Sequence, residues 1–545
     1  MKIFFQQLLR YQKYLFLALT IVVAIIILFP IRTFQAPLAQ GDHGRDLYAF
    51  WQTSQGATPY QDYWWCYGPL MPYYYGFIFK IFNPLIQIAL LGELLLKLTA
   101  VILCYLALSC FVQAGWALIG ALWLAAFMPH FPHTYNHAGG ITALLWTILN
   151  LFLYLKSSDR KFLWLGFCSI TITFLIKFNI GIYSLAGFLA CAIFSDLVHE
   201  NLKKNLRSYI YGLLLSCAFL MATHFWFVRG LPMYYILQCF PFLGGYRQIA
   251  PTTSLWANML AFTKETFGQI TSYKPYLAIL IIVVDFLVFA ILLFFSDKQR
   301  RAENKKALLG ILAASIFFLF CLHEHLASPM IYSRYWTEPF QILFIFLIIG
   351  FMAPRTPKIF QVALIVFFCS VLFSRATLQR RFIAFFKDPL HHFHFKSHDM
   401  YATNAPDWFF TIYQTMSALE RLPEQNETFF VLPYEPLYYF LAKKQSPVKE
   451  LCFFDFMHIP IDQEKDIILN LEIKKVRYVL LSNRCNSPTE PSIGIFGKTY
   501  GILLSNYLAR NFEVIESFGN WGRPVGWIDN HATRILKRKS FLIQQ

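Results

Sequence analysis

Residues 41–76 read GDHGRDLYAFWQTSQGATPYQDYWWCYGPLMPYYYG and follow the first apolar run of the chain, LFLALTIVVAIIILF (15–29). Three carboxylates, Asp42, Asp46 and Asp62, lie in this stretch among Tyr60, Tyr63, Trp64, Trp65 and Tyr67, ahead of a Gly68-Pro69 break. Rings with an apolar body and a polar edge gather where membrane meets water. The stretch therefore reads as a loop on the rim of a membrane-embedded helical bundle, and the neighbouring sequence can be tested against that.

The 545 residues are 57% hydrophobic and 19% aromatic, with 14% charged. A soluble chain carries about a quarter charged residues, and long uncharged runs exclude an ordinary cytosolic protein. The formal charge of +17 could suggest nucleic acid, but no soluble basic domain or stacking module accompanies it. Surplus Lys and Arg in a polytopic chain collect in inner loops instead. The basic start MKIFFQQLLRYQK has no convincing cleavage pattern after it, so the first apolar run reads as an uncleaved span. Most of the eleven cysteines sit in apolar runs as small hydrophobes. Cys452 and Cys485 fall in the polar tail and could pair.

A spanning helix needs roughly 20 mostly apolar residues. Such runs occur near 14–31, 85–108, 114–129, 138–155, 162–180, 182–197, 207–228, 275–296, 307–325, 336–353 and 358–375, about eleven spans. With the N-terminus inside, the inner loops are 1–13, 156–161, 199–207, 297–306 and 353–358, all thick with Lys and Arg. The other side receives the 32–84 loop, 131–137, 177–181, 229–274, 323–335 and everything after about 376. Every candidate chemical group thus lands on one face. The division expected is a transmembrane core over 1–380, a basic, aromatic interfacial linker over 381–399, and an extracytoplasmic α/β domain over 400–545. In that last region TFFVLP (428–433), VRYVLLS (476–482), FEVIESF (512–518) and GWIDNHATRILKR (526–538) read as strands, and DQEKDIILNLEIKK (462–475) as a helix.

Acids and cations sharing one face beside an apolar groove suit group transfer from a lipid phosphate, in which a carboxylate activates the acceptor and cations hold the leaving group. Asp42, flanked by Gly41 and Gly44, is the expected catalytic carboxylate, with Asp62 assisting. Asp46 falls in the first turn of a helical pattern, where capping competes with substrate contact. Lys177 and Arg334 are the candidate phosphate ligands, and Arg has the better fork for two oxygens. Snorkelling or interface anchoring is the ordinary alternative for both. His323-Glu324-His325 lacks the spacing that puts two His on one helix face, so His323 reads as a phosphate contact and Glu324 as a sugar contact. No cofactor is expected; a divalent metal is left open, but no ligand spacing supports one. His137, Tyr60 and Tyr67 are candidate substrate contacts, although a loop histidine that only satisfies its own hydrogen bonds is the commoner case. The histidines of 391–398 read as surface groups without a catalytic role. Glu93 and Lys97, four apart on one span, read as a packing ion pair or part of a pathway.

These residues together resemble the bacterial polytopic glycosyltransferases of the GT-C fold, close to glycosyltransferase family 39 and the aminoarabinose transferases. The resemblance rests on GDHGRDLYAF after the first span, the G-x-x-PY-x-D…YGPL-x-x-Y segment at 56–74, the K-x-N-x-G turn at 177–181, and RYW at 334–336. It implies a mostly α polytopic core with a soluble α/β tail and a polyprenyl-phosphate-linked sugar donor. The acceptor would be a lipid, glycan or protein, and the first-loop aspartate, Asp42, would be the base. The family often has Asp-Glu where this chain has Asp42-His43. A transporter or lipid flippase, or a glycan ligase or polymerase using a diphosphate-linked donor, are the rival readings.

Overall fold

The computed structural model describes residues 2–29, 33–35, 38, 40–128, 135–240, 301–327, 334–353, 356–374, 390–403, 407–422, 427–485, 493–521 and 531–539. Apolar helices dominate its first part: α1 (Lys2–Leu28), α4 (Ile86–Leu108), α5 (Ala114–Phe127), α6 (Asn136–Ser157), α7 (Arg160–Ile176), α8 (Phe178–Val198) and α9 (Leu202–Val228). Two further helices, α2 (Asp42–Ser54) and α3 (Leu70–Phe82), lie within the first loop, and a short α10 (Met233–Cys239) follows α9. The helical region ends with α11 (Arg301–Ala327), α12 (Arg334–Met352) and α13 (Lys358–Ser374). Five of the described helices are long and apolar enough to cross a membrane, namely those at Tyr11–Leu28, Ile86–Leu108, Asn136–Ser157, Phe178–Val198 and Leu202–Val228, with shorter apolar helices beside them. The chain is an integral membrane protein with a mostly α core. The span expected at 275–296 lies outside the described residues.

The bundle has chemically distinct ends. At one end, Lys306 Nζ donates to the carbonyl of Lys156 (2.6 Å), Lys305 Nζ to that of Val198 (3.3 Å), and Arg160 to Asn205 (2.9 Å) and the carbonyl of Lys204 (2.8 Å). The two lysines thus cap the C-terminal carbonyls of α6 and α8, where the helix dipole favours cations. Nearby, Asp196 accepts from Tyr154, Asn205 and Tyr209 and ties α6, α8 and α9 together. Glu93 and Lys97 form the expected i,i+4 ion pair in α4, buried, at 2.5 Å. The first loop and the C-terminal tail lie at the opposite end.

The tail contains a hairpin of β1 (Leu390–Phe395) and β2 (His398–Thr403), then α14 (Asp407–Arg421), β3 (Phe429–Leu432), α15 (Leu437–Ala442), α16 (Ile461–Ile473), β4 (Tyr478–Ser482), α17 (Ile502–Asn511), β5 (Phe512–Gly519) and β6 (Ala532–Arg538). The larger sheet runs β3-β4-β6-β5, with β3 and β4 parallel and the other pairs antiparallel. Both faces of its centre are covered, and alternation sorts the side chains between them. Phe430, Leu432, Val479 and Leu536 enter a core with α16 and α17, whereas Phe429, Val431, Tyr478, Leu480 and Ile535 enter a second core that also holds Trp64, Trp65 and Tyr75 of the first loop. The tail therefore shares a hydrophobic core with the membrane part.

That shared core changes the reading of the aromatic loop. Tyr60, Tyr63, Trp64 and Trp65 are buried in protein rather than set at a lipid boundary. Their polar edges find protein partners: Trp64 Nε1 donates to the Gln238 carbonyl (3.0 Å), Trp65 Nε1 to that of Gly68 (2.9 Å), and the Tyr63 hydroxyl pairs with Thr53 (2.6 Å). Buried indoles and phenols need such partners. The 381–399 segment also differs from an interfacial element where it is described, since Phe393 and Phe395 of the hairpin are buried, with Phe393 stacked on Phe409 of α14. Cys452 and Cys485 are separate buried thiols.

Candidate active site

Asp42 opens α2 behind Gly41, whose φ of 76° puts it in the left-handed region that favours glycine. Space enforces the same choice, because a Cβ there would come 2.6 Å from the Tyr434 ring and 3.1 Å from the Arg484 guanidinium. The Tyr434 hydroxyl donates to Asp42 Oδ1 at 2.7 Å, and Arg45 Nη1 donates to the same oxygen at 3.2 Å. The Asp42 side chain keeps 31% exposure against 3% for Arg45. It is a braced carboxylate with an open side.

Arg45 is the hub of the rim. It also donates to Asp46 Oδ1 through Nε (3.0 Å) and Nη2 (2.8 Å), and to the Tyr434 oxygen at 3.2 Å. Its guanidinium lies 5.0 Å from the Tyr67 ring and 5.5 Å from that of Trp65, within cation–π range. Asp46 accepts the Tyr135 backbone N–H at 3.0 Å and is wholly buried. Burial pushes its carboxyl up to about 6, against the pull of Arg45. The expected substrate contact by Asp46 is therefore corrected: with no exposed surface and its oxygens bonded, it fixes Arg45 and the start of α6. Tyr60 is corrected on the same ground, since its buried hydroxyl donates to the Tyr67 carbonyl.

Asp62 is not beside Asp42. It accepts the Thr58 N–H at 2.7 Å and closes an exposed turn. The next residue, Tyr63, bonds Thr53 at the far end of α2, roughly 16 Å along the helix from Asp42 at 1.5 Å per residue. Sharing the base role would require reach that a carboxylate lacks.

Lys177 is the single extended residue (φ −152°, ψ 117°) between α7 and α8. Its Nζ stands 4.5 Å from the Trp336 ring centroid, and His137 meets the same ring edge-on at 5.0 Å. The YGPL segment seats directly on this break: Gly68 N–H donates to the Ile176 carbonyl at 3.0 Å, and a Cβ on Gly68 would lie 2.1 Å from the Leu175 oxygen. Contacts thus run from Asp42 through Arg45 and Tyr67 to Gly68 and the backbone break at Lys177, where the Lys177 side chain packs on Trp336 beside His137. Arg334 opens α12 two residues before Trp336, and His323 and Glu324 fall in the last turns of α11. The side chains of these three lie outside the described residues.

An apolar cavity of about 430 Å³ lies between α3, α4, α6 and α7 and reaches Ile176, the residue before Lys177. Leu70, Gly139 and Ile176 line its upper end, and Leu96, Leu103, Trp146 and Ile172 its walls. Its apolar lining suits an alkyl chain.

Three contributors were not visible in the sequence reading. Tyr434 and Arg484 come from the tail, and Arg484, buried beside Glu435, donates to the Tyr434 carbonyl at 3.2 Å. Asn136, wholly buried at the start of α6, has neither amide atom hydrogen-bonded among the described residues. PYEPLYYF (433–440), a Pro-flanked acid in an aromatic run, was the available signal for Tyr434.

No protein-family model matches the chain, and no curated protein matches it in sequence. Solved structures do. The Archaeoglobus fulgidus oligosaccharyltransferase in complex with Zn and sulfate aligns with a TM-score of 0.51 at 12% identity, covering 94% of this chain and 73% of that one. ArnT from Cupriavidus metallidurans bound to undecaprenyl phosphate aligns at 0.47 and 12%, covering 95% and 97%. The archaeal AglB complex with an inhibitory peptide and a dolichol-phosphate aligns at 0.40 and 12%, covering 88% and 70%. The likeness at TM-score 0.51 is one of fold: the chain shares the fold of the Archaeoglobus fulgidus oligosaccharyltransferase.

Proposed function

We propose that the protein is a glycosyltransferase that moves a sugar from a polyprenyl-phosphate donor to a lipid, glycan or protein acceptor on the extracytoplasmic face. The observation that supports this reading best is a braced, part-exposed carboxylate whose partner Arg45 packs on Tyr67, next to the Gly68 seat on the helix break that bears Lys177, with an apolar cavity lined by the adjoining Ile176. The polyprenyl chain occupies the cavity, and its phosphate meets Lys177, with Arg334 and His323 as further ligands. Asp42 takes the proton of the acceptor nucleophile while that atom bonds the anomeric carbon. The bond from that carbon to the phosphate oxygen breaks, and the electron pair leaves on the lipid phosphate, which Lys177 stabilises. Arg45 and Tyr434 hold Asp42 in place. Tyr67, its ring already against Arg45, and Glu324 are the remaining sugar contacts.

The test is transfer of radiolabel from polyprenyl monophosphate sugars by the purified full-length protein. Asp42→Asn is expected to lower the rate by about 10²-fold or more with normal membrane insertion, and Lys177→Met to weaken donor use. Full activity in Asp42→Asn overturns the base assignment. Movement of lipid with no covalent product overturns the transferase reading.

A further inference from the structure

We propose that the hairpin β1–β2 carries a divalent transition-metal site, formed by His392, His394 and Asp399, that locks the joint between the membrane core and the tail. His392 and His394 are two apart on one strand, so alternation points both rings to the same face. Asp399 lies directly across from His394 in the antiparallel register. The three ligand atoms already converge: His392 Nε2 is 2.7 Å and His394 Nδ1 2.9 Å from the same Asp399 oxygen, and all ligand atoms lie within 4.8 Å of one another. Two imidazoles and a carboxylate form a donor set suited to zinc, with a fourth position left for water. Small side-chain rotations suffice to draw the three around one ion at roughly 2.0–2.2 Å. Each imidazole then presents a bare nitrogen to the metal, and the hydrogen now directed at Asp399 leaves that atom.

The surroundings support a built site rather than a chance surface pair. Tyr401 stacks on His392 with ring centroids 4.8 Å apart and 9° between planes. The Asp399 backbone carbonyl accepts from Gln87 in the first turn of α4 at 2.9 Å, so the hairpin is already bonded to a membrane helix. Phe393 and Phe395 face the other way into the tail. An ion on the outer face would therefore fix both strands of a segment that touches core and tail at once. This inference does not depend on the donor or acceptor assigned above.

The test uses full-length protein in detergent, stripped with EDTA and titrated with ZnCl₂ alone. One tight equivalent is expected above that bound by His392→Ala/His394→Ala, together with a higher Tm in the wild type only. Asp399→Asn is expected to weaken binding by at least tenfold. His391→Ala, on the opposite face of the strand, serves as control and is expected to bind as wild type. A second measurement needs no variant: zinc is expected to protect His392 and His394, but not His391, from diethylpyrocarbonate. Equal zinc uptake by the wild type and the double variant, or equal labelling with and without zinc, overturns the site.

Discussion

The Tyr434 hydroxyl reaches Asp42 from the tail and shares its oxygen with Arg45. A hydrogen bond to a charged group is worth about 1.5–3 kcal/mol. Tyr434→Phe is therefore expected to lower kcat by about tenfold, with KM for the donor little changed, as steady-state transfer assays would show. Glu435, next along the chain, gives a pH signature. Burial pushes its carboxyl up to about 7, while Arg484 pulls it down. The folded state thus holds the Glu435 proton more tightly than the unfolded chain does. The associated stability is fully present below the ordinary carboxylate range and is lost as pH rises through about 7. Asp46 titrates in the same direction, up to about 6. Thermal unfolding between pH 5 and 8 is expected to show falling wild-type stability, and Glu435→Gln should remove up to roughly 3 kcal/mol of that fall. An unchanged slope would show that Glu435 is not the titrating group.

At the scale of elements, the break between α7 and α8 is held by the Gly68 seat. Any Cβ at 68 collides with the Leu175 carbonyl, and forced overpacking costs about 1–3 kcal/mol. Gly68→Ala is expected to lower Tm and to raise KM for the donor more than it lowers kcat, because the disturbed segment carries Lys177. Much at this scale was legible beforehand. The helical runs follow directly from apolar length, and the Glu93–Lys97 pair from its i,i+4 spacing. Strands β3 to β6 were legible from their β-branched and aromatic runs, but β1 and β2 were not, since their His-rich stretch reads as an interfacial linker. The aromatic loop was misread because Trp and Tyr suit a buried protein interface as well as a lipid boundary, and only tertiary packing separates the two. Asp62 was overvalued for a related reason: nearness in sequence hid the length of α2. Tyr434 and Arg484 were missed because a bond across 392 positions leaves no local pattern.

For the whole molecule, the two ends differ in chemistry: lysines cap helix carbonyls at one, and the acid rim lies under the tail at the other. With the basic end inside, a cysteine placed at exposed Glu427 in the tail is expected to react with an impermeant maleimide added to intact cells. One placed at exposed Lys203, in the first turn of α9, is expected to react only after permeabilisation. The reverse pattern would put the rim on the wrong side for the proposed reaction.

The order in which a ribosome delivers these parts gives the Tyr434 contact a further meaning. Every helix from α1 to α13 emerges before the tyrosine that completes the acid, and β6, which lies between β4 and β5 in the sheet behind it, emerges almost last. A chain halted near residue 400 would enter the bilayer with its apolar helices in place while Asp42 still lacked the Tyr434 bond. Synthesis itself would then act as a safety catch on the proposed activity, released only as the tail packs onto the rim.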